Sequence, residues 1–250
     1  MDLALYLFIA LSVLATSIVS GALGMAGGMI LMGLLTWVLP VQQAMLIHAA
    51  SQFFSNGNRA FVYRKDLYTP TIKYYLLGLA ITFALLCLIT FSPNKIAVFA
   101  MLGISPLVSY LIPQNSRFSF SFSKPLNAFF CGVIVTCFHL TSGVSGPLLD
   151  IFFRKTPMTR FAVVSTKAFT QLVSHAVKFI YFSFIITTAS KTAADLPLSI
   201  YLTVIITALI GSSTSKYLLN RITDNQFHEA TQLVIIIVGS VYLIKAFMLI

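Results

Sequence analysis

His48, Gln52, Asn56 and Arg59 are spaced by four, four and three residues, which places all four on one face of a helix. Lys167, Gln171, His175 and Lys178 repeat that spacing, with Thr170 and Ser174 beside them as Ser51 and Ser55 stand beside the first set. Imidazole, amide, ammonium and guanidinium groups on one face can all donate hydrogen bonds to an oxyanion. Both stripes lie in apolar runs, where ionisable groups are costly and normally face a bundle interior or a water-filled cavity on a transport path. The stripes are expected to face each other across a central anion site, with Lys167 its most important donor. Arg59 and Lys178, near helix ends, are assigned to gating or secondary charge, together with Asp150, the one acid expected in an apolar segment. Intramembrane positive charge then exceeds negative, and a bound anion would complete the balance. The competing reading is polar glue between helices or snorkelling to an interface, and it applies most readily to Arg59 and Lys178.

Two glycine-rich interruptions flank the stripes. Ser20-Gly21-Ala22-Leu23-Gly24-Met25-Ala26-Gly27-Gly28 breaks the apolar region 3–39, and Ser142-Gly143-Val144-Ser145-Gly146-Pro147 breaks 126–153. Each region is too long for one perpendicular helix across a hydrocarbon core of about 30 Å. A shift of 119 positions carries Gly24 onto Gly143, Gly27 onto Gly146, Gln52 onto Gln171 and Ser55 onto Ser174. The same shift puts His48 on Lys167, Ser51 on Thr170, Asn56 on His175 and Arg59 on Lys178, so the chain reads as an internal duplication. Gly27, Gly28 and Gly146 allow a close approach of backbone to ligand, Ser142 and Ser145 add hydroxyl donors, and short helices starting near Gly28 and Pro147 would aim their N-terminal amides inward at an anion.

The remaining elements must hold these parts within a bilayer. Of 250 residues, 58% are hydrophobic and 9% charged, and the mean hydropathy is +0.93, which excludes a soluble surface and leaves no segment for a separate soluble or nucleotide-binding domain. The formal charge of +10 comes from Lys and Arg scattered singly or in pairs between apolar runs, so it reads as topology signal and not as a nucleic-acid footprint. Cys87, Cys131 and Cys137 have no paired spacing, so neither disulfides, a metal site nor a cofactor is expected. The start lacks the basic region of a signal peptide, and residues 3–20 are kept as a structural segment. Membrane-length helices are predicted at 41–63, 72–91, 95–112, 161–185, 198–219 and 230–250.

Orientation follows from the basic residues. If each interrupted region crosses the membrane once, the charges split almost evenly. If each dips in and returns as a hairpin, Arg64, Lys65, Lys73, Arg117, Lys124, Arg154, Lys155, Arg160, Lys216 and Arg221 share one side, against Lys95, Lys191 and Lys245 on the other. The positive-inside rule prefers the hairpins and makes the first side cytoplasmic, with both termini outside. The predicted fold is therefore an all-α polytopic membrane protein of two inverted repeats, 1–112 and 126–250, joined by a cytoplasmic linker at 113–125. Each repeat is a glycine-broken hairpin plus three transmembrane helices, an odd number of crossings, the recurring plan of secondary transporters with midplane sites.

These residues resemble the TauE/SafE membrane transporters, often called sulfite exporters, along essentially the whole chain. Gly21-Ala-Leu-Gly24-Met-Ala-Gly27-Gly28 is similar to that family's glycine-rich signature, and Gly143-Val-Ser-Gly146-Pro147-Leu-Leu with Thr166-Lys167-Ala-Phe-Thr-Gln171-Leu-Val-Ser-His175-Ala-Val-Lys178 looks like its counterpart. Ala26 stands where a third glycine is usual, Gly33 where a proline is common and Asp150 where an apolar residue is expected, which leaves the substrate open. The resemblance implies transport of small anions, such as sulfite, sulfoacetate, other organosulfonates or carboxylates, with room for proton coupling and for homo-oligomers. It also implies a multi-pass protein of a bacterial inner membrane.

Two other functions fit parts of the sequence. Gly143-Val144-Ser145-Gly146 matches the Gly-x-Ser-Gly pattern of rhomboid proteases, with His175 as a base for a Ser145 nucleophile. The duplication accounts for the motif without chemistry, since Ala26 stands at the equivalent of Ser145. An anion channel would share the same lining, and saturable, gradient-dependent flux separates a carrier from it. The topology is open to a direct test. Single cysteines placed at positions 115 and 192 of a cysteine-free protein are expected to label from opposite sides of the membrane, and labelling from the same side refutes the inverted arrangement.

Overall fold

The computed structural model describes residues 2–22, 26–112, 120–190, 196–219 and 224–250. Gly24, Arg117, Lys191 and Arg221, cited above for the duplication and for the topology, lie outside the described residues, as does most of the 113–125 linker, and of Lys216 only the backbone is described. Among the described residues the chain is helical and contains no strand. The helices are α1 (Leu3–Ala22), α2 (Ala26–Val38), α3 (Val41–Val62), α4 (Ile72–Ile89), α5 (Lys95–Leu111), α6 (Pro125–Thr141), α7 (Gly146–Phe153), α8 (Arg160–Ile180), α9 (Thr187–Ser190), α10 (Leu198–Leu219) and α11 (Asp224–Phe247). A π-helical stretch, Tyr181–Ile186, joins α8 to α9. Four stretches are long and apolar enough to cross a membrane by length and composition, Leu3–Ser20, Ile72–Ile89, Arg160–Ala189 and Leu198–Ser215.

The apolar faces point outward. Leu3, Leu7 and Leu11 of α1, Leu77, Ile81, Leu85 and Leu88 of α4, and Leu198, Leu202, Ile206 and Leu209 of α10 are exposed at spacings of three or four, one stripe per helix. In water such stripes would be a liability, whereas in a bilayer they are the surface that lipid covers. With both lipid and interior apolar, helices associate through close packing at small residues. A methyl group on Gly132 of α6 would lie 2.1 Å from the Tyr75 carbonyl oxygen of α4, and one on Gly78 would lie 2.2 Å from that of Phe129. Gly211 seats α10 against Leu14 and Ser17 of α1, and Gly103 seats α5 against Gly239 of α11.

Both interrupted regions fold back. The Phe122 amide, just before α6, donates to the Phe152 carbonyl near the end of α7 at 2.8 Å, so this pair of helices returns to the side from which it started. In the first region the start of α2 lies on the last turns of α1, where a methyl on Gly27 would meet the Thr16 carbonyl oxygen at 2.1 Å. The turn after α6 is made by Gly143 at φ +81°, a left-handed conformation that favours glycine. Ser142 stabilises that turn, donating to the Phe138 and Val144 carbonyls at 2.9 and 2.7 Å.

Packing between the halves is reciprocal. With α8 to α9 counted as one interrupted helix, the first helix of each half lies along the fourth helix of the other, α1 with α10 and α6 with α4. The equivalent helices α3 and α8 lie against each other, as do α5 and α11. Along α3 and α8, Gln42 bonds the Phe182 carbonyl, His48 adjoins His175, Gly57 faces Leu172 and Tyr63 stacks on Phe161. Positions that rise on one helix meet positions that fall on the other, so the pair is antiparallel. Gly132→Val, at the α4 and α6 crossing, is expected to destabilise the protein by roughly 1–3 kcal/mol or more through overpacking against backbone. Thermal unfolding in detergent measures this, and an unchanged midpoint would show that the helices separate there at no cost.

Candidate functional site

Antiparallel packing of α3 and α8 brings the two polar stripes face to face at the depth where the hairpins turn. A small cavity, with room for little more than a water molecule, is lined by Gly28, His48, Gln52, His139, Val144, Ser145, Gly146, Gln171 and His175. Both halves contribute: Gly28 lies in the first turn of α2, Val144 and Ser145 lie in the turn that leads into α7, Gly146 starts α7, and the rest come from α3, α6 and α8. Gly28 leaves space for a neighbour, since a methyl there would press on Gln52 Oε1 at 3.3 Å.

The imidazoles are held in a connected network. His48 Nε2 lies 2.8 Å from the Gly28 carbonyl, an acceptor only, so this nitrogen carries the hydrogen and donates. His48 Nδ1 then accepts from Lys178 Nζ at 2.7 Å, and the same ammonium donates to the Gly143 carbonyl at 2.9 Å. Lys178 is fully buried and ties α8 to α3 and to the turn of the second hairpin. Arg59 holds the equivalent place in the first half, donating to the Ser20 carbonyl at 3.2 Å and to Asn56 Oδ1 at 2.8 Å. Asn56 in turn donates to the Gln52 carbonyl at 2.8 Å. Both cations therefore sit at the C-terminal end of the first helix of their own hairpin, where carbonyls lack helical partners and the helix dipole is negative.

On the other wall, Ser145 Oγ lies 2.6 Å from His139 Nδ1, and His139 Nε2 lies 3.3 Å from His175 Nε2. His175 Nδ1 and Gln52 Nε2 have no partner, although both side chains are almost wholly buried. Unpaired polar atoms at such depth cost about 1–3 kcal/mol each, and both belong to residues that line the cavity. The amides of Gly146 and Leu148, in the first turn of α7, add donors without intrahelical partners on the same side.

Several predicted site residues do not line this cavity. Lys167 forms an ion pair with Asp150 of α7 and is partly exposed, whereas Lys178 is the fully buried lysine of α8. Thr170 is turned into helix packing: its hydroxyl donates to the Lys167 carbonyl, and its carbonyl accepts from Tyr75. Ser142 is used in the turn, Gly27 in packing on α1, and Asn56 in the link between Arg59 and the backbone of α3. Gly28, His48, Gln52, Ser145, Gly146, Gln171 and His175 come together as expected. His139 was missed because it lies outside either stripe. A lone imidazole within an otherwise apolar segment, four residues before a glycine break, was the available signal.

The profile described as "Sulfite exporter TauE/SafE" matches residues 8–242. The chain belongs to the TauE/SafE sulfite exporter family. No curated protein and no solved structure matches it. As a TauE/SafE protein it is a multi-pass membrane transporter with a small anion as substrate. The family match spans both hairpins and both polar stripes, so the buried network described above lies inside the matched region.

Lys178→Ala is expected to be more disruptive than Lys167→Ala. It strands His48 Nδ1 and the Gly143 carbonyl in a buried site, at roughly 1–3 kcal/mol for each group, whereas Lys167 is partly solvated. Detergent thermal unfolding of both variants checks the order, and equal or reversed losses would remove Lys178 from its structural role.

Proposed function

We propose that this chain carries small sulfur oxyanions, sulfite or organosulfonates such as sulfoacetate, across a bacterial inner membrane by alternating access around the cavity between the two hairpin turns. The observation that carries this reading is the pair of buried nitrogens without partners, Gln52 Nε2 and His175 Nδ1, beside the N-terminal amides of α7. An oxyanion offers several lone pairs and negative charge, which suits the free Gln52 amide, the helix end, and His175 Nδ1 whenever it carries a hydrogen. Antiparallel packing of the equivalent helices α3 and α8 supports an inverted relation between the halves, as does the return of α7 to the side where α6 begins. In that arrangement the halves can rock about a site that both of them build, with both termini outside.

The proteolytic reading changes partners, since Ser145 bonds His139 and His175 stands behind it. The Ser145 hydroxyl is then a donor within an anion site, which the family's transport role favours over a nucleophile.

Saturable binding of sulfite or sulfoacetate to the purified protein is expected by calorimetry or thermal shift, and concentrative uptake into proteoliposomes distinguishes a carrier from a channel. Gln52→Ala should weaken binding by about ten- to a hundredfold, the cost of one hydrogen bond to a charged group. Unchanged affinity in folded Gln52→Ala protein would place the site elsewhere.

A further inference from the structure

The His139 and His175 pair has a proton accounting that the anion site alone does not need. His139 Nδ1 faces the Val135 carbonyl at 3.1 Å, an acceptor only, and Ser145 Oγ at 2.6 Å. Keeping the Val135 contact favourable requires a hydrogen on Nδ1. In a neutral ring Nε2 is then bare, so the 3.3 Å contact must be filled by hydrogen on His175 Nε2, and His175 Nδ1 is left as a lone pair beside the cavity. A lone pair there repels an oxyanion. One additional proton on the pair changes this: His139 donates from both nitrogens, His175 Nε2 accepts, and His175 Nδ1 becomes an N–H donor. Ser145 Oγ faces the hydrogen on His139 Nδ1 in both states, which leaves its own hydrogen free to turn toward the ligand.

We propose that His139 and His175 together take up one proton from bulk water when the site takes up its anion, which makes the pair the proton carrier of the transport cycle. The charges around it favour joint uptake. His48 and Arg59 from α3, Lys178 from α8 and Ser145 before α7 surround the rings, the buried Tyr75 of α4 and Cys131 of α6 are the further titratable groups on the helices packed here, and Lys167 and Asp150 form an ion pair between α8 and α7. An extra proton beside Lys178 and Arg59 adds positive charge to a positive site, and the anion offsets it. Under the shift of 119 positions Ser20 and Asn56 occupy the places of His139 and His175 in the first half, and neither side chain titrates. Proton carriage is thus confined to the second half.

The inference rests on the anion-transport reading, and the experiment separates the two. Sulfoacetate keeps both acidic groups ionised near neutral pH, so any proton movement belongs to the protein. Calorimetry of the full-length protein in buffers of different ionisation enthalpy is expected to show up to one proton taken up per anion bound, and a Kd that weakens by up to about tenfold for each unit rise in pH. His175→Asn, which installs the first half's own residue, and His139→Gln, a second variant should the first fail to fold, are each expected to flatten the pH dependence and remove the proton uptake. Wild-type binding without proton uptake overturns the inference and leaves anion transport standing, and so does proton uptake that persists in either variant. A wild-type protein that binds neither sulfite nor sulfoacetate overturns both readings.

Discussion

The structure depends on how broken helices are tolerated in hydrocarbon. Each hairpin leaves the carbonyls of one helix end and the amides of another at a depth where lipid can satisfy neither. The carbonyl ends are dealt with internally. Arg59 reaches the Ser20 carbonyl and Lys178 the Gly143 carbonyl, so each half places a cation against the negative end of its own first helix. The starts of α2 and α7 contribute Gly28 and Gly146 to the cavity wall. Stabilising one set of ends while leaving the other beside a cavity is how the packing difficulty is met, and the proposed anion site uses what is left open.

That solution also explains the unequal fate of the polar residues. Residues near the helix breaks are consumed by backbone: Ser142 closes a turn, Asn56 couples Arg59 to α3, and His48 bridges the Gly28 carbonyl and Lys178. Of the residues that line the cavity, Gln52 and His175 are the ones that retain buried atoms without a partner. Apolar packing surrounds this centre on two sides, one cluster joining α2, α3 and α5 with α11, the other joining α4, α6 and α7. Moving either tip therefore requires sliding between packed surfaces, and the glycine contacts at Gly132, Gly78 and Gly103 are where backbones lie close enough to set those surfaces.

Much of the fold was legible in the sequence, because membrane depth fixes helix length and the apolar runs were bounded by glycine, proline and charge. The predicted 41–63, 72–91, 95–112 and 198–219 differ from α3, α4, α5 and α10 by two residues at most. The segment predicted at 161–185 continues to Ser190, since the π-helical turn interrupts the helix without ending it, its freed Phe182 carbonyl being bonded by Gln42 and Thr187. The segment predicted at 230–250 begins earlier, at Asp224, because polar residues continue that helix beyond its apolar part. Stripe spacing put His48 and Gln52 on one helix face and Gln171 and His175 on another, and all four line one cavity, whereas rank among the cations was not legible. Spacing puts Lys167 and Lys178 on one face but does not say that Asp150 stands opposite the first and a helix end opposite the second.

The departures from the family pattern become intelligible on the same terms, and they bear on packing more than on substrate. Asp150, where an apolar residue is expected, is paired with Lys167, so acid and base neutralise each other on the flank of α7. Gly33 replaces a common proline in α2. A proline there would free the Met29 carbonyl from its helical partner and bend the helix. In this chain Tyr242 of α11 lies against Gly33, where a methyl would come within 2.0 Å of its hydroxyl oxygen, and that hydroxyl donates to the Met29 and Ile30 carbonyls at 3.2 Å each. Glycine thus admits a tyrosine to the same backbone carbonyls that a proline would expose. Because neither Asp150, Gly33 nor the buried Ala26 lines the cavity, these departures leave the lining of the proposed site, Gln52, Ser145, Gln171 and His175 among it, untouched.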